Sequence, residues 1–149
     1  MKKLTLLIVF LALGSALLST IGCSYRCENC EKVVHLTVLR GVNFDFDKYQ
    51  IRPEGYPILD EDVKLLKNNP GYKVRIEGHC DIRGSDAYNK KLSIKRARTV
   101  YNYFASKGIA DDRMTVEGFG RSRPLVPNTT PENMFKNRRV EIKIVERIK

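Results

Sequence analysis

From Val34 to Phe46 the apolar positions Val34, Leu36, Val38, Val42, Phe44 and Phe46 alternate with the polar His35, Thr37, Asn43 and Asp45. A period of two predicts a half-buried strand, interrupted at Arg40-Gly41. After Pro53, Leu59, Val63 and Leu66 recur at helical spacing until Asn68-Asn69-Pro70-Gly71 closes the segment, which predicts a first helix. Lys73 to Gly78 alternates again as a second strand, and a polar loop from His79 to Ser85 follows. A long helical stretch comes next, with a core stripe of Ala97, Val100, Tyr101 and Phe104 and a stop at Gly108. Met114 to Glu117 is a short third strand. Gly118-Phe119-Gly120 and a loop rich in Pro, Asn and Thr lead to Arg138, and the last strand, Arg139 to Val145, points Val140, Ile142 and Ile144 inward. The expected fold is α/β (α+β), a two-layer sandwich in which about four strands form a mixed sheet with helices on one face and a polar open face.

Ahead of this pattern stand the cationic Met1-Lys2-Lys3 and an uncharged apolar run from Leu4 to Ile21, the layout of a secretory signal. The run also reaches the lower length limit of a membrane-spanning helix, so a retained anchor is an alternative. Gly22-Cys23 at its end resembles a lipobox, although Thr20 stands where Leu is usual. Residues 1–22 are read as a lipoprotein signal peptide, 23–33 as a short linker after a lipidated Cys23, and 34–149 as one domain. Several acyl chains on Cys23 make membrane attachment stable where one does not. The chain carries 27 Lys and Arg against 17 Asp and Glu, a net +10. That charge favours anionic partners, and an exported chain without a basic run interleaved with aromatics does not point to nucleic acid.

Four ordered segments resemble the OmpA-like peptidoglycan-binding domain: Phe44–Gly55 (FDFDKYQIRPEG), Glu77–Ser85 (EGHCDIRGS), Tyr88–Ala97 (YNKKLSIKRA) and Asn137–Val140 (NRRV). Cys80 departs from the family's usual Thr or Ala. A lipid-type signal, a very short linker and no preceding β-barrel make the chain similar, within the family, to the peptidoglycan-associated lipoproteins. The resemblance implies an OmpA C-terminal-like fold, an outer-membrane address facing the periplasm, and non-covalent grip on peptidoglycan. It also implies membership of the Tol-Pal system with periplasmic Tol proteins as partners, no cofactor beyond the lipid on Cys23, and no enzymatic activity.

By that resemblance Asp81 and Arg96 bind meso-diaminopimelate of the stem peptide, whose side chain carries an ammonium and a carboxylate on one carbon. An acid beside a base is the complement of such a zwitterion. Leu92-Ser93 is expected to break the helix, with Ser93 as N-cap and Arg96 in the first turn, where helix N-H groups favour an anion. The alternative is an internal Asp81–Arg96 ion pair tying strand to helix. Asp47 either faces the ligand or caps the turn before Pro53, and Phe46 either packs in the core or turns outward over the ligand. Arg83 contacts stem-peptide carboxylates or is merely solvated. Asn89 is expected to fix the loop by hydrogen bonds, Leu92 to line a wall, and Arg138 and Arg139 to position the Asp81 loop electrostatically.

Cys27 and Cys30 are read as a small disulfide or two idle thiols, because a zinc site needs about four ligands and only His35 is nearby. His79, Cys80 and Asp81 are the residue types of a hydrolase, but neighbours on an extended strand point to opposite faces. A wall hydrolase is therefore the weakest reading. An inner-membrane wall-binding protein of the flagellar-stator type is the main alternative, against which the span holds no acidic residue to carry protons.

Overall fold

The computed structural model describes residues 39–146. The signal segment, Cys23, Cys27, Cys30 and the Val34–Val38 part of the first strand lie outside the described residues. Along the chain run β1 (Leu39–Asn43), α1 (Gly55–Asn68), β2 (Tyr72–Gly78), α2 (Asp86–Ser106), a single 3-10 turn (Asp111–Arg113), β3 (Met114–Gly118), α3 (Pro131–Asn137) and β4 (Arg139–Glu146). The four strands form one mixed sheet in the order β1-β4-β2-β3. β4 is antiparallel to both neighbours, whereas β2 and β3 run parallel, joined by the α2 crossover. The expected class and four-stranded mixed sheet are what forms.

Alternation explains the two faces. Val74 and Ile76 of β2 and Val140, Ile142 and Ile144 of β4 point into the core with Leu59, Val63 and Leu66 of α1 and Ala97, Val100 and Phe104 of α2. On the opposite face Glu77 accepts from Arg75 at 2.7 Å and Lys143 at 2.6 Å, while Glu141 pairs with Arg139 at 2.5 Å. The open face is thus polar, with opposite charges side by side across the strands. The interruption at Arg40-Gly41 is a bulge, because the register shifts between Leu39 and Val42 so that both reach the core.

Arg113 closes α1 by donating to the Leu66 and Asn69 carbonyls at 2.9 Å each. Gly108, at φ +87, provides the left-handed turn after α2. Two features differ from expectation. The loop before β4 contains α3, opened by Thr130, whose Oγ1 accepts from the Asn133 N-H, and by Pro131 at the start of the helix. In addition, α2 is unbroken through Leu92 and Ser93, and its cap is Ser85, whose hydroxyl accepts from the Tyr88 N-H at 3.2 Å. Arg96 is therefore mid-helix, and no helix N-terminus adds to its charge.

Ser93 has another use. Gly78 and Gly118 lack side chains where α2 crosses the sheet, and a Cβ at either would collide with Ser93 or its neighbour Ile94. The close approach lets Ser93 Oγ accept from the Gly120 N-H at 2.9 Å while donating to the Lys90 carbonyl at 2.9 Å. The hydroxyl ties the helix to the loop after β3. The same approach carries Arg96, less than one turn further along α2, under the end of β2.

Candidate functional site

Phe46, Asp47, Asp81, Arg83, Asn89, Leu92 and Arg96 all line one cleft of about 330 Å³, together with Cys80, Gly84, Ser85, Tyr88 and Arg138. Four segments meet there: the turn after β1, the loop after β2, the first half of α2 and the junction of α3 and β4 that carries Arg138. Asn89, Leu92 and Arg96 share one helical face because they are three and four residues apart.

Arg96 forms the floor. Its side chain is 0% exposed, and it donates to the carbonyls of Lys48 at 2.8 Å, His79 at 2.9 Å and Asp45 at 3.0 Å. The Cys80 sulfur is 3.4 Å from the same guanidinium. Among the described residues, no carboxylate lies within ion-pair distance of Arg96, so the expected alternative of an internal Asp81–Arg96 pair does not form. Burial pushes the guanidinium below its ordinary pKa, yet a guanidinium remains charged at any physiological pH. No carboxylate bonds this buried cation, and the charges of Asp81 and Asp47 act on it only through space.

Asp81 stands on the wall and is satisfied by two other arginines. Its Oδ2 accepts from Arg138 Nη1 at 2.9 Å and from Arg83 Nη2 at 2.6 Å, and its Oδ1 accepts from the Arg83 backbone N-H at 3.1 Å. Burial raises the Asp81 pKa, but the hydrogen bonds from Arg83 and Arg138 outweigh it and hold the carboxyl below the usual range. Arg138 is itself anchored, with Nε donating to the Phe44 carbonyl at 3.0 Å. Its contact with Asp81 is direct, closer than the field effect expected of it. Arg139 instead faces the other side of the sheet and pairs with Glu141.

Phe46 follows the outward reading. β1 ends at Asn43, so the alternation does not extend to it. Phe44 fills the core, and Phe46 is 54% exposed with the Arg83 guanidinium 3.8 Å from its ring centroid. Asp47 adopts φ 57, a left-handed conformation that Asp tolerates, and its carboxylate accepts from the Tyr88 hydroxyl. It faces the cleft, while Arg52 in the following turn pairs with Asp45 and Glu54. Asn89 fixes the loop as expected, donating from Nδ2 to the Arg83 carbonyl at 2.8 Å, and Leu92 is a buried wall residue. Tyr88 was missed as a member of the site. The signal available was its place one residue before Asn89 in the same motif and four before Leu92 on the same helix.

A nucleophile is not assembled here. The Cys80 thiol is buried, pushed up to about 11 by loss of solvent, and directed at the Asn89 carbonyl 3.5 Å away. Such a thiol is not a thiolate at neutral pH. His79 lies on the opposite face, stacked on Phe119 with centroids 5.5 Å apart, and burial followed by the Arg139 cation pushes it down to about 4. Ligand atoms of Glu77, His79 and Glu141 fall within 4.8 Å of one another, as in a metal site. Their two carboxylates are already neutralised by Arg75, Lys143 and Arg139, so side-chain ammonium and guanidinium groups fill the role a metal ion would take.

The model of the OmpA family matches residues 43–138, which spans the cleft, all three helices and the parallel strands β2 and β3. The chain belongs to the OmpA family. Outer membrane protein A of Bordetella avium is 42% identical over 102 residues, covering 68% of this chain and 53% of that protein. The peptidoglycan-binding protein ArfA of Mycobacterium tuberculosis is 34% identical over 116 residues, covering 78% of this chain and 36% of that protein. The chain thus spans about half or less of the length of these two relatives. Among solved structures, the peptidoglycan-associated lipoprotein from Burkholderia pseudomallei superposes with a TM-score of 0.68 at 30% identity, covering 70% of this chain and 89% of that one. The C-terminal domain of Helicobacter pylori MotB shares the fold at a TM-score of 0.66 and 21% identity, covering 70% of this chain and 83% of that one. Among the described residues of this family member, no helix is long and apolar enough to cross a membrane.

Proposed function

We propose that this chain is a non-enzymatic wall-binding lipoprotein that grips peptidoglycan through meso-diaminopimelate of the stem peptide and tethers the outer membrane to the wall. The observation that carries the reading is the pairing of opposite charges in one cleft without an ion pair between them. Arg96 offers a buried cation for the ligand carboxylate, and Asp81 offers an ionised carboxylate for the ligand ammonium. A zwitterion on one carbon satisfies both groups at once, and each hydrogen bond made is charge-assisted. Phe46 and Leu92 supply apolar walls beside the charges, the usual composition of a small-ligand cleft.

Membership of the OmpA family and likeness to a peptidoglycan-associated lipoprotein support the wall as the source of this ligand. In the same reading residues 1–22 are a signal peptide, Cys23 carries the lipid, residues 23–33 are the linker, and periplasmic Tol proteins are partners. The outer membrane is preferred to an inner-membrane stator role because Gly22-Cys23 ends the apolar run and no acidic residue lies within it.

Co-sedimentation with purified sacculi tests the grip. Wild type pellets and leaves the sacculi intact, and Asp81→Asn stays in the supernatant while retaining its circular-dichroism spectrum. Equal pelleting of the folded variant would remove Asp81 from the site. Mass spectrometry of the mature N-terminus tests the anchor, with an acylated Cys23 expected and an unmodified residue at cleavage against it.

A further inference from the structure

We infer that Arg83 is a displaceable latch: its guanidinium occupies the ammonium position on Asp81 and must swing away when ligand binds. The inference rests on the proposed ammonium-binding role of Asp81 and adds the means by which that carboxylate is guarded.

The two arginines on Asp81 are not equivalent. Arg138 is 10% exposed and clamped by the Phe44 carbonyl, so it has nowhere to go. The Arg83 side chain is 42% exposed, and its guanidinium lies over the outward-facing Phe46 ring at the cleft rim. Its backbone is held on both sides of Cα, the N-H by Asp81 Oδ1 at 3.1 Å and the carbonyl by Asn89 Nδ2 at 2.8 Å. Movement is therefore confined to the side chain, a rotamer change that leaves the loop intact.

Asp81 Oδ2 is also over-subscribed. It receives Arg83 Nη2 at 2.6 Å, Arg83 Nε at 3.2 Å and Arg138 Nη1 at 2.9 Å, whereas a carboxylate oxygen has about two lone-pair directions to offer. Losing Arg83 leaves Oδ2 with a full-strength partner in Arg138 and one open direction facing the cleft. An entering ammonium takes that direction and restores the charge balance. Phe46 holds the released guanidinium near the rim by cation-π attraction, so release is reversible.

A latch of this kind also sets a threshold for binding. A lone amine gains one contact by displacing Arg83 and loses as much, whereas a zwitterion gains the Arg96 contact in addition. Removing the latch therefore benefits every ammonium ligand by the same factor and leaves the advantage of the zwitterion, which comes from Arg96, unchanged.

Calorimetric titration of the purified protein with a soluble stem peptide containing meso-diaminopimelate, and with its lysine counterpart, tests this on wild type, Arg83→Ala and Asp81→Asn. The latch predicts that Arg83→Ala binds the diaminopimelate peptide about two- to fivefold more tightly than wild type, the worth of a half-exposed charge pair. It further predicts the same fold gain for the lysine peptide, and in wild type a loss of protection of the Arg83 Nε-H on binding, read by NMR. Unchanged or weaker binding by Arg83→Ala, with Asp81→Asn still defective, would overturn the latch and leave the Asp81 site standing. Absence of binding by both wild type and Arg83→Ala, or full binding by Asp81→Asn, would overturn the site and the latch together.

Discussion

Arg96 and Asp81 line the same cleft without bonding to each other, the first held by three backbone carbonyls and the second by two other arginines. Neither charge is spent on the other. A structural ion pair would couple the two residues strongly in stability. A double-mutant cycle of Asp81→Asn and Arg96→Lys, followed by urea denaturation, is expected to give a coupling below about 1 kcal/mol, against several for a buried pair.

Arg138 and Arg83 should differ sharply in stability terms. Arg138→Ala removes the buried partner that anchors Asp81, which costs on the order of 3–5 kcal/mol. Arg83→Ala removes a partner open to solvent and costs at most about 1 kcal/mol. Equal losses in chemical denaturation would contradict the division between a fixed and a mobile arginine.

The burial of His79 makes a pH prediction. Its pKa in the native state is pushed down to about 4, mainly by loss of solvent, while the unfolded chain protonates it near 6.5. The unfolded state therefore takes up a proton first as the pH falls. The contribution of His79 to stability is complete above pH 6.5 and is lost as the pH drops through about 4, in total on the order of 3 kcal/mol. Asp81, also depressed, acts below its ordinary 3.8, outside most of this window. Stability measured at intervals from pH 7 to about pH 4 should fall in wild type and run flatter in His79→Gln.

The close crossing of α2 over the sheet predicts that Gly78→Ala and Gly118→Ala are damaging. A methyl at either position meets Ser93 or Ile94, so the helix must lift. Overpacking of this kind costs about 1–3 kcal/mol or more. Ligand binding should weaken as well, because Arg96 rides on the same helix. Thermal melts and peptide titration of the two variants measure both effects.

Most of the sheet was legible because β2 alternates and β4 alternates from Arg139 to Ile144, and the first helix because Leu59, Val63 and Leu66 keep its period. α3 was not, since its seven residues contain only Met134 and Phe135 as apolar positions, too few to make a period. Thr130 as its cap with Pro131 as its first residue was the available signal. Ser93 was read as a cap because Ser favours caps, a local preference overridden by a tertiary contact with Gly120. The seven site residues are spread over three segments, and the resemblance to family motifs brought them together where spacing alone could not. Nothing local to Asp81 indicates that its partners are Arg83 and Arg138 rather than Arg96. That choice is made by the Phe44 carbonyl holding Arg138 in place and by the carbonyls of Asp45, Lys48 and His79 claiming Arg96.

The central claim is that the cleft recognises an ammonium and a carboxylate together. Titrating the wild-type protein with stem peptides that differ only in carrying meso-diaminopimelate or lysine isolates the second charge. The account predicts saturable binding of the diaminopimelate peptide and binding of the lysine peptide at least about tenfold weaker, the loss of one charge-assisted contact to Arg96. Equal affinity for the two peptides would contradict it.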